Sequence, residues 1–267
     1  NFVGPYYSRS SQVGSSSPIA DPAIRRISTI LQFISDFAPQ VILTTPPAQG
    51  LEIGVDFGYL LFSLATAFPQ IDWHGLEHAS RKFISDPNYR RLFEKYNCKL
   101  HLTDVVSQPL PYADNSCSIV TFSEVLEHIS PDRVPALIRE IYRVLRPGGW
   151  LIISSPNLVC SINRIKILAG KSILEPVDAF LKEGDTYGHI RLYTAEEFTA
   201  MAKRCGYIIR HIRYENILSW NWYSNSLLKD ILYRIIWLLE GPVRLFTDRI
   251  SDTWYAVLQK EADRTGS

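Results

Sequence analysis

At 267 residues, with 46% hydrophobic and 21% charged residues, the chain has the composition of one large globular domain with a sizeable core, which excludes a disordered or fibrous class. A net charge of +1 supplies no whole-molecule field for nucleic acid. The four cysteines form no C-x-x-C pair, and neither a leader pattern nor an apolar run of about 18 residues is present, so the expectation is a reducing, cytoplasmic setting.

Residues 1–22 are rich in Ser, Gly and Pro and read as a flexible arm, with residues 23–267 as a single domain. Asp21-Pro22 opens a helix in which Ile24, Ile27, Ile30, Leu31, Phe33 and Ile34 recur near helical spacing to about Phe37. Gly50-Leu51-Glu52-Ile53-Gly54-Val55-Asp56-Phe57-Gly58 follows, a short apolar run that stops at glycine and passes into the helical pattern Tyr59 to Phe68. A buried parallel strand enters a nucleotide-binding loop in this way. The dinucleotide register G-x-G-x-x-G fails here, because Asp56 and Tyr59 stand at its second and third glycine positions. An acidic Asp56 would also repel a pyrophosphate, which disfavours a nicotinamide oxidoreductase. Glu52 and Asp56 suit a cofactor with a positive centre and an amino-acid tail.

The loop resembles motif I, E/D-x-G-x-G-x-G, of the Rossmann-like S-adenosylmethionine-dependent methyltransferases. Glu52, Gly54 and Gly58 match it, and Asp56 replaces the middle glycine. Ile71 to Leu76 is a second apolar strand ending in Glu77, an acidic group about twenty residues past the loop, where it can accept both ribose hydroxyls of an adenosine cofactor. Residues 80–96 read as one polar helix, and Lys99 to Leu102 as a third strand ending in Asp104-Val105. The resemblance gives Asp104 the adenine amino group. The fourth strand, Ile119 to Phe122, runs into Ser123-Glu124-Val125-Leu126-Glu127-His128-Ile129. Ser130-Pro131 then caps a helix to about Leu145, Pro147-Gly148-Gly149 ends it, and Trp150 to Ser154 is strand five. The span Ser123 to Asn157 resembles the family's E-V-L-E-H, R-V-L-R-P-G-G and S-x-P-N segments in order and spacing.

After an irregular stretch, Gly188-His189-Ile190-Arg191 leads to Thr194, which caps a helix Ala195 to Cys205 with Glu197 completing a capping box. Strand six covers Tyr207 to about Ile217, and Trp254 to Leu258 is strand seven. Between them, residues 218–250 crowd Trp220, Trp222, Tyr223, Ile231, Leu232, Ile235, Ile236 and Trp237 beside Lys229, Arg234 and Arg244. This insertion reads as a helix that packs on the domain, caps the substrate, joins two copies or lies on a membrane surface.

The resemblance implies an α/β fold, a seven-stranded, mostly parallel Rossmann-like sheet with helices on both faces and a helical insertion before the last strand. It implies S-adenosylmethionine held by Glu52, Gly54, Asp56, Gly58, Glu77, Asp104, Val105 and Ser123, and catalysis by Glu124, His128 and His189. Glu124, Glu127, His128 and His189 also match the metal ligands of the ubiquinone-biosynthesis O-methyltransferases and small-RNA 2′-O-methyltransferases, implying a divalent cation such as Mg²⁺ or Mn²⁺. Histidine base catalysis or pure positioning remain open beside the metal. His74, His101 and His211 read as structural strand residues, whereas His78 follows the ribose glutamate. The expected function is transfer of a methyl group to an oxygen of a small-molecule or lipid/glycan-linked acceptor. The alternative is a degenerate methyltransferase fold that binds a partner or membrane through residues 218–250. The absence of a basic stripe with interleaved aromatics outside the insertion argues against a nucleic-acid partner.

Overall fold

In a computed structural model of the chain, residues 22–42, 48–174, 176, 188–217, 231, 235–236, 238, 241–243 and 247–262 are described. Most of the insertion, including Trp220, Trp222, Tyr223 and Trp237, lies outside the described residues, as does the arm up to Asp21. Within the insertion Ile231, Ile235, Ile236 and Leu238 are helical.

Seven strands form one sheet: β1 (Ala48–Ile53), β2 (Ile71–Glu77), β3 (Lys99–Leu102), β4 (Cys117–Ser123), β5 (Leu145–Pro156), β6 (Tyr207–Glu215) and β7 (Thr253–Lys260). Their order is β3-β2-β1-β4-β5-β7-β6, with β7 antiparallel to both its neighbours and every other pairing parallel. The order reverses between β1 and β4, and the crevice at such a reversal is where ligands bind in open parallel sheets. The helices are α1 (Pro22–Phe37), α2 (Pro39–Ile42), α3 (Tyr59–Ala67), α4 (Pro87–Lys95), α5 (Val134–Val144), α6 (Ser161–Leu168) and α7 (Ala195–Arg204).

Strand periodicity of two decides which face each side chain joins. On β7, Trp254, Ala256 and Leu258 join Phe198, Leu137 and Ile141 of α7 and α5, while Tyr255 and Val257 join Ile30, Phe33 and Leu61 of α1 and α3 on the opposite face. β5 splits likewise, Leu151 and Ile153 to the first core, Trp150 and Ile152 to the second. Both faces are therefore covered, as a parallel sheet requires. The cysteines are free thiols.

Four expectations shift. The helix read over 80–96 is divided into a 3₁₀ turn at Lys82–Ser85 and α4, because Pro87 cannot continue a helix and instead follows the Asp86 cap, whose side chain accepts from the Asn88 amide at 2.7 Å. The helix after His128 starts at Val134, not Pro131, since the Ser130 hydroxyl bonds to the Asp132 carboxylate instead of capping. Pro147-Gly148-Gly149 lies inside β5 as an irregularity in its register against β4, with Gly148 at φ +74°. Finally, part of the stretch read as irregular is α6. The Thr194–Glu197 capping box forms as expected, and α7 ends at Arg204.

Candidate active site

The carboxyl ends of β1, β2 and β4 bring the motif residues together. Gly54 follows β1 at φ +80° and donates its amide to the Leu76 carbonyl at 2.9 Å, which ties the loop to β2. A Cβ on Gly54 would stand 2.3 Å from Val125 Cγ2, and one on Gly58 (φ +82°) 2.3 Å from the Phe62 ring. Both positions therefore need glycine for space as well as for backbone freedom. Asp56, at the place of the middle glycine, also has positive φ, +46°, which aspartate tolerates better than most side chains. Its amide donates to Glu77 Oε2 at 2.7 Å, its carbonyl accepts from the Tyr89 hydroxyl at 2.6 Å, and its carboxylate meets Arg81 at 2.7 Å.

Glu77 thus ends β2 as the post on which the loop hangs, its second oxygen accepting from the His78 amide at 2.8 Å. Burial pushes its carboxyl up, while the two amides and Arg81 pull it down. Glu52 is buried beside it with Oε2 lacking any hydrogen bond, and burial, with Glu77 and Asp56 adding negative charge, pushes its carboxyl well above the usual range. Asp104 sits in a turn where it accepts from the Ser107 hydroxyl and from the Val106 amide at 3.0 Å, and the serine bond chiefly pulls its pKa down. Thr103, just before it, donates to the Glu77 carbonyl at 3.0 Å, and Val105 packs against the core.

Ser123, at the end of β4, lies 2.7 Å from the Ser154 hydroxyl, which donates to Glu124 at 2.8 Å. Glu124 takes φ +55°, and its other oxygen is 3.3 Å from Arg26 of α1. Glu127 points into the fold: one oxygen accepts from Ser155 at 3.1 Å, and the other, Oε1, has no hydrogen bond and lies 4.0 Å from His189 Nε2. The Glu127 carbonyl accepts from the Ile190 and Arg191 amides at 2.8 and 3.2 Å, which fastens the later segment to the end of β4. His128 Nδ1 bonds to the Gly188 carbonyl at 2.9 Å, so Nδ1 carries the proton and Nε2 a lone pair. Burial pushes both histidines down, His189 to about 4 with His128 adding to the effect, and burial with Glu124 pushes Glu127 well up.

Of the four residues matched to metal ligands, three converge: ligand atoms of Glu127, His128 and His189 lie within 4.8 Å of one another. Glu124 does not join them, because Arg26 and Ser154 hold its two oxygens. Arg26, Arg81 and Tyr89, which contact Glu124 and Asp56, are not picked out by the sequence reading. Only Arg81, four residues after Glu77, left a local signal. His74 instead bonds Asp72 and Tyr112 at 3.1 Å and stacks with His101, a network within the sheet and α/β layer.

A family model described as methyltransferase domain matches residues 23–212. The tRNA N(3)-methylcytidine methyltransferase Mettl2 of Drosophila melanogaster is 25% identical over 164 residues, covering 60% of this chain and 49% of that one. The ubiquinone/menaquinone biosynthesis C-methyltransferase UbiE of Dinoroseobacter shibae is 28% identical over 118 residues, covering 40% and 45%. The chain thus spans about half the length of the curated relatives it matches. Among solved structures, phosphoethanolamine N-methyltransferase 2 of Haemonchus contortus, in complex with phosphomonomethylethanolamine and S-adenosylhomocysteine, superposes with a TM-score of 0.54 at 17% identity, over 88% of this chain and 53% of that one, a likeness of fold. With the family model spanning motif I, Glu77, Asp104 and the Glu124–His128 segment, the chain belongs to the S-adenosylmethionine-dependent methyltransferase family.

Proposed function

We propose that the protein transfers the methyl group of S-adenosylmethionine to an oxygen of a small-molecule or lipid- or glycan-linked acceptor. The donor set fits the cofactor. Glu52, Glu77 and Asp104 are hydrogen-bond acceptors at the ends of three adjacent strands, and the cofactor offers donors, an ammonium, two ribose hydroxyls and an adenine amine. The unpartnered Glu52 oxygen is the buried acceptor that such a cation would satisfy. Gly54, Asp56, Gly58, Val105 and Ser123 complete the wall. When bound, the cofactor supplies an electrophilic methyl on a positive sulfur.

The observation that carries the oxygen preference is the Glu127–His128–His189 group at the mouth of β4. An acceptor hydroxyl must lose its proton as it attacks, and a half-buried, neutral His128 with Nε2 unprotonated can take it. Alternatively the same three residues would hold a divalent cation, which would lower the hydroxyl pKa. Two imidazoles and a carboxylate oxygen without a hydrogen bond suit Zn²⁺ or Mn²⁺ better than Mg²⁺. Arg26 and Ser154 leave Glu124 a positioning role.

Calorimetric titration with S-adenosylhomocysteine tests the cofactor part. Micromolar binding that Glu77→Ala weakens about ten- to hundredfold is expected, from losing a charged acceptor of two backbone amides and the ribose. An intact chain that takes up no S-adenosylhomocysteine would leave the non-catalytic scaffold as the better account.

A further inference from the structure

The active-site mouth continues into a surface that the methyl-transfer chemistry does not use. β5 ends one residue after Ser155, the partner of Glu127, and α6 begins after the four-residue connection 157–160. The base of α6 is anchored. Buried Asn163 donates to the Asn157 and Leu158 carbonyls at 3.3 and 3.0 Å, and the Ser161 amide donates to Ile250 at 2.9 Å. Beyond that base the side chains lose their cover: Ile165, Ile167 and Leu168 are 38%, 58% and 88% exposed, and Leu174 48%. Single exposed aliphatics are ordinary, but four within ten residues at one end of a short helix are not.

The charges in the same stretch are of one sign. Arg164, Lys166 and Lys171 are interleaved with these aliphatics, and no Asp or Glu occurs from Leu158 to Leu174. Arg164 and Lys171 are exposed. An apolar ridge flanked by cations complements a surface that is apolar beneath and negative on top, the description of an anionic phospholipid bilayer at its interface. A protein partner would need both an apolar groove and an acidic rim, and a second copy of this ridge would set the same cations against each other. Among the described residues no helix is long and apolar enough to cross a membrane, so the contact is with the surface. Ile231, Ile235 and Leu238, spaced four and three apart and each about half exposed or more, add a second aliphatic stripe in the insertion.

We propose that α6 and the residues to Leu174 seat the protein on an anionic lipid surface, with the end of β5 facing the bilayer so that a lipid-linked acceptor reaches His128 and His189. The docking stands on the surface itself. Its service to catalysis rests on the lipid-linked branch of the proposed function.

Co-sedimentation with phosphatidylcholine vesicles, with and without phosphatidylglycerol, tests it. Pelleting with the anionic vesicles alone, weakened by salt, is expected. Leu168→Asp should reduce partitioning more than tenfold, from the loss of a leucine that would insert into the bilayer, and Lys166→Ala about fivefold. All three proteins should bind S-adenosylhomocysteine alike, which shows that the variants are folded and keeps this result separate from failure of the cofactor reading. Equal recovery with neutral and anionic vesicles, no pelleting, or a Leu168→Asp protein that pellets like the parent would overturn the proposal. So would a dimer in solution that Leu168→Asp converts to monomer without any vesicle binding, because the ridge would then join two copies.

Discussion

The Arg26 guanidinium of α1 lies 3.3 Å from the Glu124 carboxylate, joining the first helix to the loop at the end of β4. Arg26 also exerts a downward pull on the buried carboxyls of Glu52 and Glu127, so one cation serves three acids around the crevice. Side-chain exposures of 25% and 22% leave the pair partly screened, and Arg26→Ala should cost about 0.5–1 kcal/mol of stability. Its larger effect is expected on the site, because Glu124 at φ +55° loses the partner that fixes its side chain. Thermal unfolding and S-adenosylhomocysteine titration check both, and a variant unchanged in either would make the contact incidental.

Gly54, like Gly58, is a strict steric requirement in the site. Gly54→Ala meets two costs, a Cβ in the left-handed region and a contact 2.3 Å from Val125 Cγ2. Together they should destabilise the fold by about 2–4 kcal/mol. In a Val125→Ala background the steric part should disappear and the backbone part remain, so the double-mutant cycle measured by denaturant unfolding should show a favourable coupling of about 1–2 kcal/mol. Additive effects would mean that the loop moves aside.

These relationships differ in how far the sequence could reveal them. The strand, glycine turn and helix from Ala48 to Ala67 are local, since apolar run, glycine and helical periodicity each act over a few residues, and the Thr194–Glu197 capping box is local too. Arg26 reaches Glu124 across ninety-eight positions and Tyr89 reaches Asp56 across 33, distances over which no periodicity speaks. α6 was illegible for another reason. Ile165-Lys166-Ile167 alternates like a strand, and the helix start is tied down by a contact far along the chain, the Ser161 amide donating to the Ile250 carbonyl at 2.9 Å. The family resemblance matches Glu124 to a metal ligand, but a left-handed backbone turns it toward Arg26.

Glu52 supplies a pH signature. Its folded-state pKa is raised by burial, so the folded chain holds a proton that the unfolded chain releases near the usual carboxylate value. The associated stability is complete below that value and is lost as pH rises through the folded pKa. Glu52→Gln should flatten this part of the profile and raise the Tm near neutral pH, while weakening cofactor binding. Bringing an ammonium beside Glu52 should also ionise it, so binding of S-adenosylhomocysteine should release protons. Calorimetry in buffers of different ionisation enthalpy checks this, and a release that persists in Glu52→Gln would assign it elsewhere.

His128 and His189 allow the two routes to an activated hydroxyl to be separated. Their rings stand 5.1 Å apart, and the Gly188 carbonyl holds His128 with Nε2 free. In base catalysis without metal, His128→Ala should lower kcat about 10²–10⁴-fold and leave the KM for S-adenosylmethionine nearly unchanged. Glu127→Gln should then have a small effect, since the amide can still accept from Ser155. In a metal-assisted reaction Glu127→Gln, His128→Ala and His189→Ala should each abolish turnover, chelation should do the same to the parent, and metal analysis should find one divalent ion per chain in the parent alone. Glu124→Gln separates the readings again. A residue held by Arg26 and Ser154 should tolerate the change with a modest loss of rate, whereas loss of the bound ion in that variant would return Glu124 to the ligand set.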